Sequence, residues 1–246
     1  GVHVVGVCQP SVPVLAAVAL MEASNDPYLP NSMVLMGGPI DTRVGVTQVN
    51  DLAKSHNMQW FERNVIHTVP QRYPGYLRKV YPGFLQYAGF VSMNPGRHAN
   101  SHWDYFEHLI QGDEQSVEAH RDFYDEYNAV LDMDADYYLD TIKTVFQEFK
   151  LVHGTWDVRN PQGQLERVRP QDIKGTALMT VEGENDDISG IGQTQAAHDL
   201  CVNIPAANRI DYVQAGVGHY GVFNGSRFRA EIAPRMRDFI RGHDRP

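Results

Sequence analysis

The opening stretch "GVHVVGVCQPSVPVLAAVALME" constrains the fold more than any other part of the chain. Residues 2–7 are apolar and mostly β-branched, which is the pattern of a buried strand. From residue 11 the composition changes to helix-favouring side chains, and Pro10 and Pro13 fit because they fall at or near the first helical turn. Strand, sharp turn and helix must therefore follow within a dozen residues. "NSMVLMGGPID" (31–41) repeats the buried strand and stops it with Gly37, Gly38 and Pro39. The alternation resumes far downstream with a strand pattern in "TALMTVEG" (176–183) and a helix pattern in "IGQTQAAHDLCVNI" (191–204). A further strand, "NRIDYVQAG" (208–216), and a terminal helix, "RFRAEIAPRMRDFIRG" (227–242), complete it. Such alternation predicts an α/β fold with a parallel, doubly wound sheet.

Between the two groups of strands lie about 135 residues of helical periodicity. In "DYYLDTIKTVFQEFK", for example, Leu139, Ile142, Val145, Phe146 and Phe149 share one face of a helix. The expected organisation is a core segment at 1–41, a helical cap insertion at 42–174 and a second core segment at 175–246.

Length and charge narrow the function classes. A chain of 246 residues buries a core without disulfide staples, and a net charge of −9 offers no basic footprint for nucleic acid or anionic lipid. Only two cysteines occur, Cys8 and Cys201, without metal or redox spacing. Free thiols and a reducing, cytoplasmic compartment are the expectation. No apolar run reaches transmembrane length, and the first residues lack the charged region and cleavage site of a secretory signal. A chain that starts without Met and enters a strand at once reads as the later part of a longer polypeptide, with its earlier strands upstream.

The chemistry centres on Cys8. "GVCQP" matches the nucleophile elbow G-x-S-x-G at its first glycine and its centre, with Cys for Ser and Pro10 for the second Gly. A strained strand-to-helix turn lifts the nucleophile above the sheet, and the following helix N-terminus favours a thiolate. The alternative is a small buried hydrophobe, the common fate of a free cysteine. An elbow nucleophile requires an acid after a late strand and a histidine after the last strand. Asp186 and Asp187 follow the 176–183 strand in "GENDDIS", and His219 follows the 208–216 strand in "AGVGHYGVF". Cys8 would then attack, His219 would move the proton, and the Asp would orient the imidazole. The backbone N–H of Gln9 is one expected oxyanion-hole donor, and the second would come from an upstream strand end.

Other clusters carry less. His98 and His102 are four apart but lack an HExxH glutamate or a third ligand. "DMDADYYLDTIK" begins like a calcium loop yet has Tyr137 and Lys143 where Gly and Glu are needed. Cys201 sits at helical spacing with Ala197 and Ile204, as a core residue would. The segment 73–90 concentrates Tyr73, Tyr76, Tyr81, Phe84, Tyr87 and Phe90, either as the packed interior of the cap or as an exposed surface lying on a hydrophobic polymer.

With the elbow "GVCQPSVPVLAAVALM", the stretch "LMGGPIDTRVGVTQVNDLA", the acid turn "GENDDIS" and the end "GVGHYGVFNGSRFR" in view, the chain resembles the intracellular polyhydroxybutyrate depolymerases. The resemblance extends over essentially the whole chain. It implies an α/β-hydrolase fold and hydrolysis of the ester bonds of amorphous storage-granule polyester to oligomers or 3-hydroxybutyrate. By it Cys8 maps to the nucleophile, Asp186 to the acid and His219 to the base, with Asp187 and Asp41 as weaker stand-ins. It implies no metal or organic cofactor, a polyhydroxybutyrate granule as partner and a cytoplasmic location on it. The oligomeric state stays open. So do two alternatives, a polyester synthase-like acyltransferase that uses coenzyme A thioesters and an inactive granule-binding fragment.

Overall fold

A computed structural model describes residues 1–160 and 162–244 of the chain. It divides into two compact units, Gly1–Ser55 together with Ile142 onward, and His56–Thr141. The division falls inside the 42–174 stretch expected as the insertion.

The first unit is built on a four-stranded parallel sheet. Strand β1 (His3–Val7) leads through a tight turn into helix α1 (Ser11–Ala23), and the chain returns as β2 (Ser32–Met36). After the second unit it forms an antiparallel pair, Asp157–Arg159 with Leu165–Arg167, and then the last two sheet strands, Ala177–Gly183 and Arg209–Gln214. The sheet order is β1, β2, the 177–183 strand, the 209–214 strand, with every neighbour parallel. Among the described residues β1 pairs on one side only.

All five residues of β2 and all seven of the 177–183 strand are buried. Their alternate side chains divide between two cores. Met33, Leu35 and Leu178 pack with Val12, Leu15, Ala19 and Cys201, while Val34, Met36, Met179 and Val181 pack with Val222, Ile232 and Phe239. This two-sided burial is why both strands read as continuous apolar runs. A fully buried leucine such as Leu15 anchors α1 on the sheet, and its truncation to Ala costs about 2–5 kcal/mol.

Three expected helices differ in detail. In 191–204 only Ala197–Leu200 is α-helical. The buried carboxylate of Glu182 collects the backbone N–H groups of Gly192, Thr194 and Gln195, which fixes turns where the pattern predicts helix. In 136–150 the α-helix Ala135–Thr141 gives way to a π-helix, Ile142–Gln147. The wider winding buries Thr144 and leaves Val145 half-buried, so the single apolar face is not kept. The terminal helix likewise begins with a π segment, Phe228–Ile232, before Ala233–Gly242.

The second unit holds helices Met58–Asn64, Gly83–Met93, Pro95–Gln111 and Glu114–Asn128, with a small antiparallel sheet of His67–Thr68, Lys79–Tyr81 and Met133–Asp134. Tyr124 and Tyr127 are its buried aromatic centre. In the 73–90 segment Tyr73, Tyr76 and Phe84 are exposed while Tyr81, Tyr87 and Phe90 are half-buried, so the segment is partly interior and partly surface.

Candidate active site

The turn after β1 has the geometry an elbow needs. Cys8 has φ of +61°, a left-handed backbone that a non-glycine residue adopts at a cost of about 1–3 kcal/mol. Three hydrogen bonds hold it there. The Cys8 N–H donates to the Met36 carbonyl at 2.7 Å, the Ser11 N–H donates to the Cys8 carbonyl at 3.0 Å, and the Ser11 hydroxyl donates to the Gly6 carbonyl at 2.9 Å. Gly6 is required by close approach, since a Cβ there would lie 3.0 Å from the Ser11 Cα. Pro10 is tolerated because it stands at the start of α1 with φ of −56°, the value its ring imposes. Cys8 is half-buried. Gln9 occupies the turn directly before α1, and its carbonyl accepts from the Val12 N–H.

Asp186 sits in the turn that follows the 177–183 strand, with its side chain fully buried. One carboxylate oxygen, Oδ1, accepts the backbone N–H groups of Ile188 and Ser189 at 2.9 and 2.8 Å. The other, Oδ2, lies 2.7 Å from His219 Nδ1. Asp187, the neighbouring candidate, is exposed.

His219 opens a short 3-10 turn after the 209–214 strand and is itself buried. Burial lowers the proton affinity of the ring, but side-chain hydrogen bonds to Asp186 and to Cys8 outweigh it and raise the pKa to about 10. The imidazolium is thus favoured between a carboxylate and a thiol. Asp41 is engaged elsewhere. Its carboxylate takes the Nε and terminal nitrogen of Arg43 at 2.8 Å each, and it is held below its usual range because those hydrogen bonds and charge outweigh the opposing effect of burial.

The remaining clusters are absorbed by local structure. His98 Nδ1 lies 3.0 Å from the Tyr124 hydroxyl, and the rings of His102 and His120 pack beside Tyr124. The Asp132 carboxylate accepts the Gly83 N–H, and Asp134 accepts those of Asp136 and Tyr137. Cys201 is completely buried, which pushes its thiol up to about 12. Among the described residues no group of three or more His, Cys, Asp or Glu has the arrangement of a metal site. None of their helices is long and apolar enough to cross a membrane.

Sequence reasoning did not reach the two N–H groups that hold Asp186, nor the part played by Ser11 in locking the elbow. Nor did it assign Gly37 any role beyond ending β2. The Gly-Gly pair at 37–38 marks a turn and says nothing of what lies across the fold from it.

A family model described as "PHB de-polymerase C-terminus" matches residues 37–244. The match includes Asp186 and His219 and begins after Cys8. No curated protein sequence matches the chain. Among solved structures, a monoacylglycerol lipase of Paleococcus ferrophilus is similar over 98% of this chain and 68% of its own, with 10% identity and a TM-score of 0.50. A protein described as a non-heme bromoperoxidase of Mycobacterium tuberculosis H37Rv is similar over 99% of this chain and 68% of its own, with 12% identity and a TM-score of 0.49. With the parallel sheet flanked on both faces, the likeness to the lipase gives the fold as that of the α/β-hydrolases.

Proposed function

Because the chain belongs to the PHB de-polymerase C-terminus family and has the α/β-hydrolase fold, we propose that it hydrolyses polyhydroxybutyrate through Cys8, His219 and Asp186. The observation that carries this reading is the 2.7 Å contact of Asp186 Oδ2 with His219 Nδ1, on an imidazole that also interacts with the Cys8 thiol. Asp186 is preferred to Asp187 because its carboxylate is the one in contact with the ring.

The mechanism follows from those contacts. With Nδ1 directed at Asp186, the other ring nitrogen exchanges a proton with Cys8, so the reacting pair is a thiolate beside an imidazolium. The thiolate forms a C–S bond to the ester carbonyl carbon. The oxyanion that develops is met by the backbone N–H of Gln9 at the start of α1. Collapse breaks the ester C–O bond, and the departing alkoxide takes the proton of His219 to leave as a hydroxyl-terminated chain. A water molecule then attacks the thioester and gives its proton to the now neutral His219. Cleavage of the C–S bond releases the acid, restoring the thiolate–imidazolium pair. No step requires a metal or an organic cofactor.

In this reading the polymer is the partner, in storage granules or as soluble oligomers, and the cytoplasm is the location. Within the segment expected as the cap, the His56–Thr141 unit carries exposed Tyr76 and Phe84, which are available to the polymer. Release of 3-hydroxybutyrate from amorphous polymer by the full-length protein, lost in Cys8→Ala, supports the reading. Release of free coenzyme A from 3-hydroxybutyryl-coenzyme A with chain growth would instead assign acyl transfer. Granule pelleting without either product would assign a binding fragment.

A further inference from the structure

We infer that Gly37 is a positioning residue that holds the His219 imidazole between Asp186 and Cys8. This rests on the reading of those three residues as the reacting set. Gly37 follows the last residue of β2 and has φ of +52°. The two residues 36 and 37 tie together the strands that carry the reacting groups. The Met36 carbonyl accepts the Cys8 N–H at 2.7 Å, and the Gly37 N–H donates to the Val181 carbonyl at 2.9 Å, five residues before Asp186.

The bare Cα of Gly37 also borders the imidazole. A Cβ built there would lie 3.1 Å from His219 Cε1, 3.3 Å from His219 Nδ1 and 3.4 Å from Asp186 Oδ2. Unstrained carbon contacts are about 3.5–4.0 Å, so only a hydrogen fits without displacing the ring. The ring has no slack to give, since Nδ1 is already 2.7 Å from a carboxylate whose other oxygen is fixed by two backbone N–H groups. A methyl would therefore move the ring away from its alignment with Cys8 rather than simply crowd it. The ring must give by a few tenths of an ångström, and rates are sensitive to misplacement, 1 Å costing on the order of a hundredfold.

Backbone strain and ring contact can be separated. Gly154 also has a left-handed backbone, φ of +63°, but nothing lies within 4 Å of a Cβ placed on it. Gly37→Ala and Gly154→Ala thus share the strain and differ in the contact.

The test compares both variants in the full-length protein. It measures kcat and KM on a soluble 3-hydroxybutyrate oligomer, and the pH dependence of Cys8 alkylation by iodoacetamide. For Gly37→Ala the expected result is a fall in kcat of about threefold or more, an unchanged KM, and a pH profile of Cys8 alkylation that departs from the wild type because the imidazole no longer faces the thiol. Gly154→Ala should follow the wild type in both readouts. Gly37→Asn, which keeps the added Cβ but tolerates the left-handed backbone better, should fold and repeat the Gly37→Ala profile if Gly37→Ala itself does not fold. The inference is overturned if the folded Gly37 variants keep the wild-type kcat and alkylation profile. It is equally overturned if Gly154→Ala shows the same losses, or if neither Gly37 variant folds while Gly154→Ala does. Full hydrolysis by Cys8→Ala would instead remove the parent reading, so the two failures are distinct.

Discussion

His219 Nδ1 and Asp186 Oδ2 lie 2.7 Å apart with both side chains almost completely buried. A charge-assisted hydrogen bond in such a setting fixes the orientation of the ring and favours its protonated form. Asp186 is prepared for the role by the N–H groups of Ile188 and Ser189, which satisfy its second oxygen and leave one to face the imidazole.

Replacing Asp186 with Asn keeps the shape but removes the charge and disfavours the reactive tautomer. In the proposed mechanism kcat should fall by on the order of 10³–10⁴, with KM little changed. Asp187→Asn, on an exposed side chain, should stay at the wild-type rate. Steady-state kinetics on an oligomeric substrate checks both, and equal losses in the two variants would return the acid to ambiguity.

The raised pKa of His219 makes stability depend on pH in a definite direction. Its folded value, about 10, lies above the 6.5 of a free histidine, so folding favours proton uptake. The resulting stabilisation is complete below about 6.5 and is lost as the pH rises through about 10. Urea unfolding of the wild type and of His219→Gln at several pH values isolates the effect. The advantage of the wild type should shrink steadily between those two limits, and an advantage that grows with pH would contradict the assignment.

How far this site is legible in the sequence differs from residue to residue. Cys8 and the Asp186–Asp187 pair stand out because they follow strands with clear apolar runs, and two-sided burial makes β2 and the 177–183 strand easy to read. His219 follows the more polar 209–214 strand and is found from its place after the last strand. The 191–204 segment is misread because its apolar spacing is helical while a distant side chain, the buried Glu182, captures its N–H groups. The π-helix at Ile142–Gln147 changes the period from within. A 3.6-residue template cannot show either effect. Gly37 is invisible for a related reason, since its importance lies in what a Cβ would meet across the fold.

The two cysteines should differ sharply in reactivity. Cys8 is half-buried beside His219, while Cys201 is fully buried with its thiol pushed up to about 12. Iodoacetamide on the native protein near neutral pH should modify Cys8 alone, with both modified after unfolding. Peptide mass mapping reads the outcome. Cys201→Ser should leave the activity per folded molecule unchanged and destabilise the fold by about 1–3 kcal/mol, through a buried hydroxyl.

Tyr76 and Phe84 are 52% and 69% exposed, so their replacement removes little packing. Tyr76→Ser with Phe84→Ser should change unfolding free energy by no more than about 0.5 kcal/mol for each site. If these rings contact the polymer, co-sedimentation with amorphous granules should weaken while turnover of soluble oligomers persists. Unchanged sedimentation would place polymer contact elsewhere.

In the proposed mechanism Cys8 carries the acyl group during ester hydrolysis. Rapid acid quenching of the full-length protein during turnover of a 3-hydroxybutyrate oligomer, followed by peptide mass spectrometry, tests it most directly. The expected result is a hydroxylamine-sensitive hydroxyacyl thioester on the peptide containing Cys8, absent in Cys8→Ala, which should also be inactive. Product release at the wild-type rate by Cys8→Ala, or an acyl adduct on a different residue, would contradict it.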